Sequence, residues 1–184
     1  MALTESNMLE LGTQAPYFKL TDVVSDEMIS IDDLRSDLGT VVMFWCNHCP
    51  YVLHVTDQVI EIAEKYMMKG FNFVAISSND IEKYPQDGPE KMRILAEEKN
   101  YPFPYLFDES QNVAKDYDAA CTPDFYVFDR NLELVYRGQL DGSRPGNNVD
   151  LTGEDLIEAL DALILKKPVK LQQKPSAGCN IKWK

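Results

Sequence analysis

An uninterrupted apolar run, Val41-Val42-Met43-Phe44-Trp45, breaks into Cys46-Asn47-His48-Cys49-Pro50 and then into a helical pattern, and this junction constrains the fold more than any other stretch. A short run of β-branched and aromatic residues with no polar face reads as a strand buried on both sides. Beyond it, Val52, Val55, Val59, Ile62, Ala63 and Tyr66 recur at helical spacing until Gly70, a residue suited to ending a helix, while Pro50 suits the first turn. A buried strand feeding a helix is the repeating unit of a layered α/β fold.

The rest of the chain extends that unit. Residues 17–20 and 28–31 read as a hairpin around a polar turn, and 71–76 as a second buried strand. A polar excursion follows through Pro85 and Gly88 to a helix over 89–99, a short strand at 105–107 and a short helix over 109–117. Residues 125–128 and 132–136 form a hairpin across Asp129-Arg130-Asn131, and Leu156, Ile157, Leu160, Leu163 and Ile164 line one side of a last helix over 153–165. This order predicts a central mixed sheet covered by helices on both faces, with function at the carboxyl end of a strand.

With 184 residues and 45% hydrophobic content, the chain holds one substantial core. We assign that core to residues 1–165. Residues 166–184 carry six lysines and no acidic residue, a basic extension against a body of charge −18 within a chain of net charge −12. Cys179, Ile181 and Trp183 alternate in it, which favours packing on the body over a solvated tail. The negative charge disfavours nucleic acid and anionic membrane as partners. No apolar run reaches the roughly 20 residues of a membrane span, and Met1-Ala2-Leu3-Thr4-Glu5-Ser6 lacks the basic region of a signal peptide. The expected location is the cytoplasm, where four cysteines suit catalysis, redox sensing or metal binding better than a disulfide framework.

Cys46 and Cys49 sit where a helix N-terminus lowers a thiol pKa, and His48 adds positive charge when protonated. The alternatives are two buried structural thiols, or a metal held among Cys46, His48, Cys49 and His54. Neighbouring side chains such as His48 and Cys49 converge poorly on one ion, so no metal or other cofactor is expected, and Pro50 after Cys49 excludes a covalent haem motif. His54 reads as a polar boundary residue.

The strand running into Cys-x-x-Cys and a long helix, with Thr122-Pro123 ahead of the apolar strand 125–128, resembles the thioredoxin superfamily over residues 12–165. The N-terminal hairpin, the inserted helix near Pro89, Asn47 to Tyr51 and the Gly-Cys-Asn-Ile-Lys-Trp segment at 178–183 resemble its peroxiredoxin-like branch, related to alkyl hydroperoxide reductase and thiol-specific antioxidant proteins. The resemblance implies a three-layer α/β/α fold and a thiol-disulfide oxidoreductase with protein or small-molecule disulfide substrates and a dithiol reductant. Counted from Trp45 it makes Cys49 the attacking thiol and Cys46 its partner, a register favoured because Pro50 fixes the helix start; the other register, with Cys46 attacking and Cys49 as the second thiol, shortens the loop. Trp45, His48, Pro50, Thr122 and Pro123 then stand on the substrate side, Pro123 as a cis-proline and Trp45 either there or in the core. Cys121 is a resolving thiol or a small buried residue, and Cys179 is a second possible resolver. A peroxidase is the alternative, although the peroxiredoxin Pro-x-x-x-Thr/Ser-x-x-Cys pattern fails: measured back from Cys49 its slots hold Val42 and Cys46, and measured back from Cys46, Gly39 and Met43. No arginine stands in Cys121-Thr122-Pro123 to polarise a peroxide. A metal-binding or redox-sensing module without turnover is the third reading. Oligomeric state is left open by the sequence.

Overall fold

A computed structural model describes residues 3–184; Met1 and Ala2, the first residues of the stretch read for a targeting segment, lie outside the described residues. The chain runs through β1 (Leu3–Glu5), β2 (Lys19–Asp22), β3 (Met28–Ser30), β4 (Gly39–Phe44), α1 (Pro50–Met67), β5 (Phe71–Ser77), α2 (Pro89–Lys99) and β6 (Tyr105–Phe107). It continues through α3 (Asn112–Asp116), β7 (Cys121–Thr122), β8 (Asp124–Phe128), β9 (Leu134–Gly138), α4 (Glu154–Ile164) and β10 (Ala177–Asn180). A seven-stranded sheet has the order β3-β2-β6-β5-β4-β8-β9, parallel where β5 meets β4 and β6 and antiparallel elsewhere.

The central strands are buried on both faces, and successive side chains part to opposite sides, as strand geometry requires. Val41, Met43 and Trp45 join Phe73, Ala75, Phe125 and Val127 under α1, α2 and α4. Val42 and Phe44 join Val74, Ile76, Tyr126 and Phe128 under α3 and the N-terminal segment. This is the three-layer thioredoxin-like fold with a mixed sheet, N-terminal hairpin and inserted helix. The β4 strand begins at Gly39, where an added Cβ would lie 2.4 Å from the Phe128 carbonyl oxygen.

Some boundaries move from the predicted ones for local reasons. The first hairpin strand lies two residues further on, because Asp22 ends it by accepting from the Ser25 backbone N–H and hydroxyl. The last hairpin strand starts at Leu134, since Leu132 holds a left-handed conformation in the turn. Residues 109–111 of the third predicted helix form a turn in which Gln111 is left-handed, so α3 begins at Asn112.

A second sheet had no counterpart in the predicted elements: β10 lies between β1 and β7, antiparallel to both. Cys179 pairs with Leu3 on one side and Thr122 on the other. This sheet stands beside the start of α1.

Candidate active site

Strand β4 and its extension end at Cys46, and Cys49 occupies the N-cap of α1 with Pro50 in the first turn. The N-cap side chain faces amide groups that have no partner within the helix, which favours a charged sulfur. All four cysteines are buried thiols. As a thiol, Cys49 donates to the Thr122 carbonyl oxygen at 3.3 Å, and Cys46 Sγ lies 3.2 Å from the Thr122 hydroxyl. The Thr122-Pro123 bond is cis. One residue of the β7 loop therefore touches both thiols.

Electrostatics separate the pair. The Cys46 thiol donates to Cys49 and lowers its pKa to about 5, against the opposing effect of burial and with further donation from the Cys179 thiol and the Val52 and Cys179 amides. Donation to Cys49 holds Cys46 well above the ordinary thiol value, reinforced by burial and the Asp87 carboxylate. Burial, then donation to Cys49, pushes Cys179 up to about 12. Burial and the Asp124 charge raise Cys121, whose sulfur sits 3.9 Å from the Pro123 and Ser176 carbonyl oxygens. Cys49 is thus the one thiolate among four thiols, and Cys46 and Cys179 are the two that donate to it.

The structure distributes the other sequence-selected residues around this centre. Trp45 is buried and donates its indole N–H to the Tyr101 hydroxyl at 3.2 Å, so it presents no surface to a ligand. His48 stacks on Tyr84 and places Nδ1 2.5 Å from Asp87. His54 Nε2 meets the Ser143 hydroxyl at 2.8 Å. Sequence reasoning missed Asp87, a fully buried carboxylate that also accepts from the Asn47 backbone N–H at 2.8 Å and the Asn79 amide at 2.9 Å. Asp87 belongs to the polar excursion before α2, where nothing in one dimension separates it from solvated turn residues.

Cys46, His48 and Asp87 bring a sulfur, a ring nitrogen and a carboxylate oxygen within 4.8 Å of one another, among the described residues a possible three-ligand set; Cys49 and His54 are outside it. The buried arginine nearest this chemistry in sequence, Arg137, is turned elsewhere. Its guanidinium donates to the Asp118 carbonyl oxygen at 2.7 Å and to Asp124 at 3.1 Å, and stacks over Tyr126.

A mixed sheet between helical layers, with a lowered-pKa thiol at a strand-to-helix junction, defines a redox protein of the thioredoxin fold. Residues 11–137 match the AhpC/TSA family, and the chain belongs to it. The structure is similar to that of an uncharacterized conserved protein from Geobacillus kaustophilus, with 59% identity and a TM-score of 0.99 over 100% of this chain and 97% of that one. It is also similar to a hypothetical protein from Sinorhizobium meliloti 1021, with 42% identity and a TM-score of 0.95 over 98% of each chain. The thioredoxin domain of a thiol-disulfide oxidoreductase from Bacteroides vulgatus shares the fold at 18% identity, with a TM-score of 0.61 over 74% of this chain and 91% of that one. No curated protein matches the chain significantly. Among the described residues, no helix is long and apolar enough to cross a membrane.

Proposed function

We propose that the protein is a thiol-disulfide oxidoreductase in which Cys49 is the nucleophile and Cys46 the resolving thiol. The observation that carries this reading is the split between the two sulfurs, with Cys49 a thiolate near neutral pH and Cys46 held protonated beside it. Cys49 thiolate attacks a substrate disulfide, forming a mixed disulfide and releasing one substrate thiolate. Cys46 then gives up its proton and attacks Cys49 sulfur, which releases the second thiolate and leaves a Cys46–Cys49 disulfide. A dithiol reductant restores both thiols. Thr122 supports the cycle because its hydroxyl and carbonyl oxygen reach one sulfur each.

In this reading residues 1–165 are the redox domain and 166–184 a basic extension packed on it, working in the reducing cytoplasm. The contact of Cys179 with Cys49 favours a second reading, a thiol peroxidase: a hydroperoxide oxidises Cys49 to a sulfenic acid with release of alcohol, and Cys179 or Cys46 condenses with it, losing water. The missing hydroxyl and proline slots, and an arginine committed to Asp124, weigh against rapid peroxide chemistry.

The test is mild oxidation followed by thiol blocking and mapping of disulfide-linked peptides, with single serine substitutions at the four cysteines. A Cys46–Cys49 bond needed for turnover of disulfide with dithiol supports the proposal. A Cys49–Cys179 bond with saturable peroxide consumption transfers the assignment to the peroxidase, and four unreactive thiols defeat both.

A further inference from the structure

We propose that β10 stands in for substrate, and that the groove it fills along Thr122 and Pro123 takes extended peptide disulfides with glycine immediately before the reacting cysteine. The proposal rests on the reading of Cys49 as nucleophile and names the substrate class for it.

The tail meets the site as a strand-forming peptide would. Cys179 pairs antiparallel with Thr122 and Asn180 with Cys121, and the Ile181 N–H donates to the Ala120 carbonyl oxygen at 3.0 Å. Upstream, the Ser176 hydroxyl donates to the Pro123 carbonyl oxygen at 2.6 Å. Main-chain pairing of this kind gives affinity to any extended segment, while side-chain clearance decides which segments fit. In this register both the N–H and the thiol of Cys179 donate to Cys49, so a peptide cysteine set there brings its own amide to the attacking sulfur.

Clearance is tight one residue earlier. A Cβ on Gly178 would lie 2.0 Å from the Thr122 carbonyl oxygen and 2.8 Å from its carbon, both backbone atoms that have no rotamer by which to retreat. The groove therefore admits glycine and rejects a side chain at that position. With β10 in place Cys49 has no exposed surface, so an external peptide enters only as the tail leaves. The tail is fastened further along: Lys182 donates its N–H to Asn79 at 2.8 Å, and its carbonyl oxygen accepts from the Asp80 N–H at 2.7 Å and the Gln111 amide at 2.8 Å. Those anchors set how often the groove opens.

The step balances without an added reagent. Cys49 thiolate attacks the peptide cysteine of a peptide–aryl disulfide, a Cys49–peptide disulfide forms, and the aryl thiolate departs with its charge. Two probes are needed, Ala-Gly-Cys-Asn-Ile and Ala-Ala-Cys-Asn-Ile, each carrying a coloured aryl thiol on its cysteine, and a small symmetrical aryl disulfide serves as reference. In the full chain the glycine probe reacts at least about tenfold faster than the alanine probe, the lower end of what one methyl group achieves in a fitted site. Gln111→Asn, which keeps a residue tolerant of the left-handed backbone but shortens its reach to Lys182, raises the glycine-probe rate and preserves the ratio. Equal rates for the two probes, with the small disulfide still consumed through Cys49, overturn the substrate class and leave the oxidoreductase reading standing. Consumption of the small disulfide at an undiminished rate by Cys49→Ser overturns the nucleophile assignment and this proposal with it. The probe ratio in the unsubstituted chain decides the matter even where Gln111→Asn fails to fold.

Discussion

Replacing Cys46 with alanine removes the largest stabilising contact of the Cys49 thiolate. In the native protein Cys49 is lowered from 9.0 to about 5, first by the Cys46 thiol, against burial, and then by Cys179 and the Val52 amide. A hydrogen bond to a charged acceptor contributes about 1.5–3 kcal/mol, and one pKa unit corresponds to about 1.4 kcal/mol. Loss of the donor favours the neutral thiol, so Cys49 in Cys46→Ala titrates about 1–2 units higher. Cys46→Ser keeps a donor and moves less. Thiolate ultraviolet absorbance followed against pH reports Cys49 alone in the acid range, because burial or donation raises the other three thiols. The same shift appears in stability. Cys49 has a depressed folded pKa, so its contribution is complete above 9.0 and is lost as pH falls toward about 5; Cys46→Ala raises the lower edge of that window. A Cys46→Ala midpoint equal to or below the native one refutes the reasoning, since it leaves no role for the thiol donor.

Four further outcomes are expected. Asp87→Ala strands the Asn47 N–H and the Asn79 amide and frees His48, lowering stability in urea by about 2–4 kcal/mol. Arg137→Met removes the cation beside Asp124, which then takes up a proton, and strands the Asp118 carbonyl oxygen, costing about 1–3 kcal/mol in the same assay. Burial raises Asp124 to about 7 against the pull of Arg137, so native stability falls with rising pH between 3.8 and about 7; Asp124→Asn flattens that slope. Gly39→Ala drives a methyl group against the Phe128 carbonyl oxygen and lowers the thermal midpoint, with a loss of about 2 kcal/mol or more.

The sheet core was legible because its determinants are local. Val41 to Trp45 announces a buried strand by composition, and the predicted helix over 89–99 and strand over 105–107 coincide with α2 and β6. The pairing of Cys46 and Cys49 was visible as spacing. The small sheet was not, because β1, β7 and β10 have two to four residues each and exist through pairing partners distant in sequence. Asp87 escaped for a related reason. Its burial comes from Asn47, His48 and Asn79 folding over it, and the surrounding Pro85, Gln86 and Gly88 read only as a turn. Of the donations that distinguish Cys49 from Cys46, the largest comes from Cys46 itself, and two more come from Cys179, a third sulfur brought from β10.

That third sulfur sets a clock on the protein's reactivity. During synthesis the Cys46–Cys49 segment leaves the ribosome long before Cys179, and until β10 docks, Cys49 lacks two of its donors. The nascent chain therefore carries a more ordinary thiol, less given to capture of stray disulfides or to cross-linking with neighbours. Acid strength at Cys49 arrives with tertiary closure, while access to it waits on β10 leaving the groove, so the strand that sharpens the thiol is also the one that shields it.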